Sequence, residues 1–322
     1  EIPTSFELVN SSLFQYCSSL TKVTMGNNIQ EIGDSTFDGC NSLQSIDLSQ
    51  QLQIIGKSAF RLCSSLTSLD LPATVSSIEI FAFDFCTGFT SFTIPDKIIA
   101  IRSYQFEFCS NLESITLPDS VVSIEDGAFY CCEKLKTINI PDKMFLLGKG
   151  SFFNCALESI NLGSELAVIN DEAFNYCNQL TSVVIPGTLM QMGDYCFSSC
   201  KQLTTFKFLG TAEPNHGYDI FLDSTNLQSI LVPKEYDGTT FCGINIQYID
   251  DEPFSWTFDN ETQTLNIDGI GPMPNYSYPS DTPWYSFSQD IKNVIVDSGT
   301  TTIGTNAFAN LTSLETVTIG DN

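Results

Sequence analysis

Apolar positions recur along this chain on a long, regular beat: Leu-x-x-Ile-x-Leu-Pro, three residues on a Val or Ile, three more on an Ile, then Ala-Phe-x-x-Cys-x-x-Leu. The stretch Leu66-Thr-Ser-Leu69-Asp-Leu71-Pro72, followed by Val75, Ile78, Ala82, Phe83 and Cys86, is representative. Nine Phe-x-x-Cys pairs mark the period: Phe14/Cys17, Phe37/Cys40, Phe60/Cys63, Phe83/Cys86, Phe106/Cys109, Phe129/Cys132, Phe152/Cys155, Phe174/Cys177 and Phe197/Cys200. They lie 23 residues apart, with one step of 22. Self-similarity at this spacing predicts a solenoid, because one coil buries its apolar face only by stacking on its neighbours.

The Leu-x-Leu core of each coil has the period of two that marks a short strand, and the proline after it blocks continuation. Ten such strands are expected, beginning at Leu20, Leu43, Leu66, Phe89, Leu112, Leu135, Leu157, Leu180, Leu203 and Leu227. Paired in parallel about 4.8 Å apart, they would form one sheet roughly 45 Å long. Phe, Cys and the next strand Leu are three apart, which suits a single helical or 3-10 turn presenting all three inward. Short irregular turns, not full helices, are therefore expected on the back. The one residue lost between Cys155 and Leu157 falls at the bend leading into a strand, where turns absorb such losses.

From Phe208 the pattern decays. Phe221 has Ser224 where its Cys would be, and Pro214, Gly217, Pro233 and Gly238 interrupt the segment. Atypical sequence at the end of an array predicts a cap, over about 208–250. Next, Trp256-Thr-Phe258 and Leu265-Asn-Ile267 alternate around Asp259-Asn-Glu-Thr262, a hairpin pattern. A stretch rich in Pro, Gly and aromatics follows, Gly271-Pro-Met-Pro274 to Pro283-Trp-Tyr285, and from Ile291 the repeat returns. The expected organisation is a first array over 1–250 and a second part over 251–322. In the latter, a connector over about 251–290 opens a truncated array at 291–322. Ile2-Pro3 matches the end of a repeat strand and Thr318-Ile319-Gly320 follows another, so the chain reads as a segment of a longer protein whose targeting signals lie outside it.

Ser65-Leu-Thr-Ser-Leu-Asp-Leu-Pro72 and Val122-Ser-Ile-Glu-Asp-Gly-Ala-Phe-Tyr-Cys-Cys132 closely resemble the BspA-like leucine-rich repeat family. Trp256 to Asn275, Thr282-Pro-Trp-Tyr285 and Ile303-Gly-Thr-Asn-Ala-Phe308 look like the segment that opens many arrays in such proteins. The resemblance covers nearly the whole chain apart from the cap. It implies a leucine-rich repeat solenoid, β-rich, with a parallel concave sheet and short 3-10 or irregular turns on the back. It also implies a cell-surface or secreted protein, since members occur on host-associated bacteria and parasitic protists and adhere to host proteins, mucosal surfaces or other microbes. It carries no catalytic residue, because the family motif consists of core positions.

Composition narrows the partners. With 38 acidic against 13 basic residues the formal charge is −25, so the average surface repels phosphate backbones and anionic headgroups, and no nucleic acid partner is expected. No apolar stretch approaches about 18 residues, so no membrane insertion is expected within this segment. No acidic run resembles a calcium loop.

The twelve cysteines invite thoughts of metal or disulfides. Nine sit in one structural column, and a straight ladder cannot converge four thiolates on a point, as zinc requires. Adjacent Cα atoms in the column fall within disulfide range, but an odd number cannot pair completely. Buried thiols serving as small apolar fillers are the favoured reading. Cys196 takes the small-residue place held by Ala59, Ala82, Ala128 and Ala173, and a bridge from Cys242 to Cys196 or Cys200 stays open. His216, the single histidine, reads as a solvated loop residue with no motif around it. Carboxylate pairs for glycoside hydrolysis are numerous and nothing selects one. Gly269-Ile-Gly271-Pro lacks the context of a phosphate loop. No catalytic residue, metal ligand or cofactor is expected.

The strand face is more informative. Its third column reads Lys22, Ser45, Ser68, Ser91, Ser114, Thr137, Ser159, Ser182, Thr205 and Ser229, and its fifth reads Thr24, Asp47, Asp70, Thr93, Thr116, Asn139, Asn161, Val184, Lys207 and Leu231. Solvated hydroxyls that pair across strands are the first account of the pattern; a ligand surface is the functional alternative, because solenoids present extended concave faces. The candidate binding residues are Ser45, Asp47, Ser68, Asp70, Ser91, Thr93, Ser114, Thr116, Thr137 and Asn139. Large aromatics are absent from that face and gather in the connector, where Tyr276, Tyr278, Trp284 and Tyr285 are either cap core or a second candidate patch. Asn-x-Ser/Thr sequons begin at Asn10, Asn260, Asn275 and Asn310, relevant only in a eukaryotic secretory host.

The expectation is therefore a non-catalytic adhesion or ligand-binding scaffold at the cell surface or outside the cell, whose partner is a protein or glycan on host or microbial surfaces. One rival is a passive spacer displaying another domain. The other is an enzyme acting on glycans or peptides through an unrecognised site.

Overall fold

The structure, a computed structural model, describes residues 2–3, 5–249, 254–269, 271–273, 276–297 and 299–320. The chain divides into two compact units, Glu1–Gln247 and Tyr248–Asn322.

The first unit is a parallel β-solenoid with almost no helix. Front strands form at the Leu-x-x-Ile-x-Leu positions: Lys22–Thr24 pairs with Ser45–Asp47, and Ser91–Thr93 with Ser114–Thr116 and Thr137–Ile138. Ser159–Asn161, Ser182–Ile185, Thr205–Phe208 and Ile230–Val232 continue the series, followed by Ile244–Tyr248. The front ladder is thus in three pieces, not one. It breaks at Leu66–Leu71, which forms no strand, and again where the coil between Cys155 and Leu157 is one residue short.

A second ladder runs along the solenoid where the sequence suggested only irregular turns. Leu8–Val9, Glu31–Ile32, Ile54–Ile55 and Ser77–Ile78 pair in parallel, and so do Ala100–Ile101, Ser123–Ile124, Leu146–Leu147, Val168–Ile169, Gln191–Met192 and Asn215–His216. Each strand has two residues, and in all but Asn215–His216 the second is buried. Ile32, Ile55, Ile101, Ile124 and Ile169 are fully buried in that inward column. The coils stack in register, so the backbone at this bend meets its own counterpart in the next coil, and pairing satisfies its polar groups.

The turn joining the two ladders behaves as its spacing predicts. Cys40 donates its N–H to the Phe37 carbonyl at 3.0 Å and Leu43 donates to the Cys40 carbonyl at 3.0 Å, two successive i→i+3 bonds that aim Phe37, Cys40 and Leu43 into the core. From Phe14 to Phe221 the phenylalanine rings stack coil on coil with centroids 5.0–6.0 Å apart. The turn needs left-handed backbone two residues before and two after each phenylalanine. Phe81 and Phe85, at φ 58° and 55°, occupy such places around Phe83, and Gly fills them only at Gly39, Gly127 and Gly150.

Phe206, Phe208, Tyr236 and Phe241 close the end of this core as a cluster of tilted and T-shaped rings. In the second unit, Phe254–Asp259 and Thr264–Gly269 form the expected hairpin, and Asn293–Val296 and Thr316–Ile319 add in parallel. Trp284 fills its core beside Leu265, Ile267, Ile291 and Val294, and donates its indole N–H to the Ala307 carbonyl at 2.9 Å. No helix among the described residues is long and apolar enough to cross a membrane.

Candidate functional site

Strand alternation decides which side chains the front ladder presents. Leu, Ile and Leu point inward, so Ser45, Asp47, Ser68, Asp70, Ser91, Thr93, Ser114, Thr116, Thr137 and Asn139 all face out and are exposed. Register lines them up: Ser114 lies between Ser91 and Thr137, and Thr116 beside Thr93. At one end Asp47 is engaged, with Lys22 Nζ at 3.3 Å and a hydrogen bond from Thr24 Oγ1 at 3.1 Å. Among the described residues, the side chains of Ser68, Asp70, Ser91 and Thr93 make no such contact.

Those four residues flank the break in the ladder, and the core changes beside it. The coil that begins at Phe89 carries Phe at both the first and the fourth strand positions, where its neighbours carry Leu66 with Leu69 and Leu112 with Ile115. Phe89 and Phe92 are buried, packed edge-on to each other at 5.1 Å, and both lie against Phe83 of the preceding coil, at 5.9 and 5.0 Å. This extra volume sits between two coils whose ladders need about 4.8 Å spacing. Both sheets are interrupted at this seam. Thr67–Leu71 donate no backbone hydrogen bond to the neighbouring coils, and the second ladder splits between Ser77–Ile78 and Ala100–Ile101. Only the turn edge stays sewn, by Phe81, Phe83 and Phe85 N–H donating to Ser103, Gln105 and Glu107 carbonyls at 3.2, 3.0 and 2.8 Å.

The opened interface leaves a depression of about 380 Å³ on the front face, lined by Ser68, Asp70, Leu71, Ser91, Thr93 and Pro95. A second, of about 320 Å³, lies on the other side of Ser68 and Asp70, against Ser45, Asp47 and Gln50. Together they offer carboxylates, small hydroxyls and free backbone donors and acceptors over an apolar floor. Such a surface holds cations and hydrogen-bonding groups; it has no nucleophile paired with a base. The sequence reading placed these residues on one face but missed the gap. The coil of Phe89 does stand out, with aromatics at its first and fourth strand positions.

Perturbed carboxylates lie elsewhere. On the turn edge Asp38, Arg61, Asp84 and Glu107 stack one per coil, with Arg61 Nε 3.0 Å from Asp84 and its Nη1 3.7 Å from Asp38. Burial raises Asp84 to about 6 against the pull of Arg61, and burial with the neighbouring Asp84 charge raises Glu107 to about 7. Neither lines either depression. From Cys40 to Cys200 the thiol column is made unreactive by the same physics: all twelve cysteines are free, these are buried, and burial pushes Cys40 up to about 11 and Cys177 to about 12.

The connector aromatics divide. Trp284 is core and Tyr276 packs T-shaped against it at 5.8 Å, whereas Tyr278 and Tyr285 are exposed. His216 lies in a two-residue strand paired with Gln191–Met192, not in a loop. The sequons at Asn10, Asn260 and Asn310 are exposed, and Asn275 lies outside the described residues.

Comparison with known proteins adds the following. The sequence profile described as "BspA type Leucine rich repeat region" matches in six copies, over residues 1–112, 99–228, 146–258 and 279–322. No curated protein matches the sequence. Among solved structures, a leucine rich cell surface protein from Faecalibacterium prausnitzii is 22% identical, with 98% of this chain and 83% of that chain covered and a TM-score of 0.49. A leucine-rich repeat protein from Bacteroides ovatus is 20% identical over 76% of this chain and 87% of that chain, with a TM-score of 0.43. The leucine rich repeat protein of T. pallidum is 21% identical over 63% of this chain and 86% of that chain, with a TM-score of 0.43.

Proposed function

The chain belongs to the BspA-type leucine-rich repeat family, and from that premise we propose that it is a non-catalytic scaffold, at the cell surface or outside the cell, that adheres to a partner through the exposed face of its front ladder. The observation that carries this reading is the break at Leu66–Leu71, where Ser68, Asp70, Ser91 and Thr93 border an open depression and backbone groups stand unpaired. Extended solenoid faces are binding surfaces in general, and unpaired strand groups recruit polypeptide through main-chain hydrogen bonds. Asp47 and Asp70 favour a segment carrying basic side chains. A host or microbial surface protein is therefore the favoured partner. A surface glycan is the second reading, supported by the hydroxyl column but lacking an aromatic platform for a sugar ring.

The test is a host-protein and glycan binding array probed with the intact chain, followed by a variant carrying Asp70→Lys, Ser91→Arg and Thr93→Arg. Saturable binding that weakens at least about tenfold in the variant supports the site, a loss of roughly 1.4 kcal/mol. Unchanged binding places the site elsewhere. No saturable ligand at all, with function surviving a swap for unrelated repeats, favours the passive spacer.

A further inference from the structure

The terminal hairpin of the first unit brings together three side chains with metal-ligand chemistry. Thr240–Phe241 and Ile244–Tyr248 pair antiparallel with Phe241 opposite Ile244, so Cys242 and Gly243 form a two-residue turn, at φ 47° and 77°. Two left-handed residues in succession select Asn, Asp or Gly at the first place. Cysteine is a poor backbone choice there. It is half-buried, at the edge of the core.

Glu213 and His216 meet it. His216 Nε2 lies 3.6 Å from Glu213 Oε1, and the same carboxylate accepts the Cys242 backbone N–H. A ligand atom from each of Glu213, His216 and Cys242 lies within 4.8 Å of the other two. The other ring nitrogen, Nδ1, is 2.9 Å from the Gly217 carbonyl. A neutral ring that donates Nδ1–H to that carbonyl keeps its lone pair on Nε2, the nitrogen facing Glu213. This is how a metal-binding histidine is usually oriented.

We propose that Glu213, His216 and Cys242 bind one zinc-class divalent cation through a carboxylate oxygen, an imidazole nitrogen and a thiolate. Mixed S, N and O donors suit zinc, whereas calcium and magnesium require oxygen throughout. Bonds of about 2.0–2.3 Å set tetrahedral ligands about 3.5 Å apart, a contraction that the part-exposed side chains of Glu213 and His216 supply by rotation. Binding forms the metal–sulfur bond and releases the Cys242 thiol proton to solvent. Three protein ligands leave a fourth position for water or for a donor from a partner. His216 is in the last strand of the second ladder, paired with Met192, so the cation ties that ladder to the terminal hairpin and braces the cap.

The experiment titrates Co²⁺, as a spectroscopic stand-in for zinc, into the reduced, metal-stripped intact chain. One equivalent should produce a thiolate-to-metal absorption band that Zn²⁺ abolishes. Cys242→Ser should lose the band, and His216→Gln and Glu213→Gln should each weaken binding by at least about 10–100-fold. All three variants should unfold at the wild-type temperature in chelator. Should Cys242→Ser fail to fold, the wild-type band and His216→Gln decide. No band in the wild-type chain, a band surviving in Cys242→Ser, unaltered affinity in His216→Gln, or a Cys196–Cys242 disulfide in protein purified without reductant would each overturn the proposal.

Discussion

Cys86 donates its thiol to the backbone carbonyl of Phe60, 3.0 Å away in the preceding coil. The same carbonyl accepts the N–H of Cys63 at 3.1 Å, so one oxygen closes its own turn and anchors the next coil. The relationship repeats from Cys40 to Cys200, and where Cys gives way to Ser224 the hydroxyl donates to the Phe197 carbonyl at 2.7 Å. The column therefore uses the thiol as a donor as well as a filler. Cys86→Ala should lower stability by about 1–2 kcal/mol, from a lost bond and a small cavity. Cys86→Ser should cost no more than half of that. Urea unfolding under reducing conditions measures both; equal losses would reduce the thiol to packing.

Replacing the wedge should close the gap. In the double variant Phe89→Leu and Phe92→Ile, both columns become aliphatic and the coils can approach to ladder spacing. Amide hydrogen exchange across Thr67–Leu71 should slow at least about tenfold, since those groups gain partners. Partner binding should weaken in the same protein. Exchange that stays fast would mean that something other than ring volume holds the ladder open.

The stacked carboxylates make stability depend on pH. Glu107 is raised from its usual 4.5 to about 7, so the folded state holds the proton more tightly than the unfolded chain. The stability it contributes is complete below about pH 4.5 and is lost as pH rises through about 7. Asp84, raised to about 6, acts in the same direction over a lower window. Glu107→Gln should flatten the decline in unfolding temperature between pH 4.5 and 7 and leave the protein more stable than wild type at pH 8. A parallel decline in wild type and variant would remove Glu107 from the account.

Thiol labelling separates the buried thiols from the exposed end of the column. In the native protein Cys17, which is exposed, should react first and half-buried Cys242 more slowly, while Cys63, Cys86 and Cys109 stay unlabelled. After denaturation without reductant, mass analysis should count twelve labels. A lower count would reveal bridges among them.

The coil period, the inward Phe-Cys-Leu turn and the outward columns were legible in the sequence because each is repeated, and repetition turns weak local preferences into a pattern. The second ladder was not legible, because strands of two residues, such as Ile54–Ile55, carry no periodicity of their own. The break at Leu66–Leu71 was half legible. Phe89 and Phe92 stand out from their columns, yet only the structure shows that the ladders are interrupted beside them. The meeting of His216 with Cys242 lay beyond sequence reasoning, since the repeat that would relate them has decayed in the cap.

The seam between the coils of Leu66 and Phe89 has a mechanical consequence. Every other neighbouring pair of coils from Glu31 to Met192 keeps its second-ladder bonds, whereas this pair is held by its turn edge and its stacked rings. Tension applied along the first unit therefore concentrates on the hydrogen bonds of a single edge. Under load the first unit should extend there before any other joint gives way, while the coils on either side stay folded.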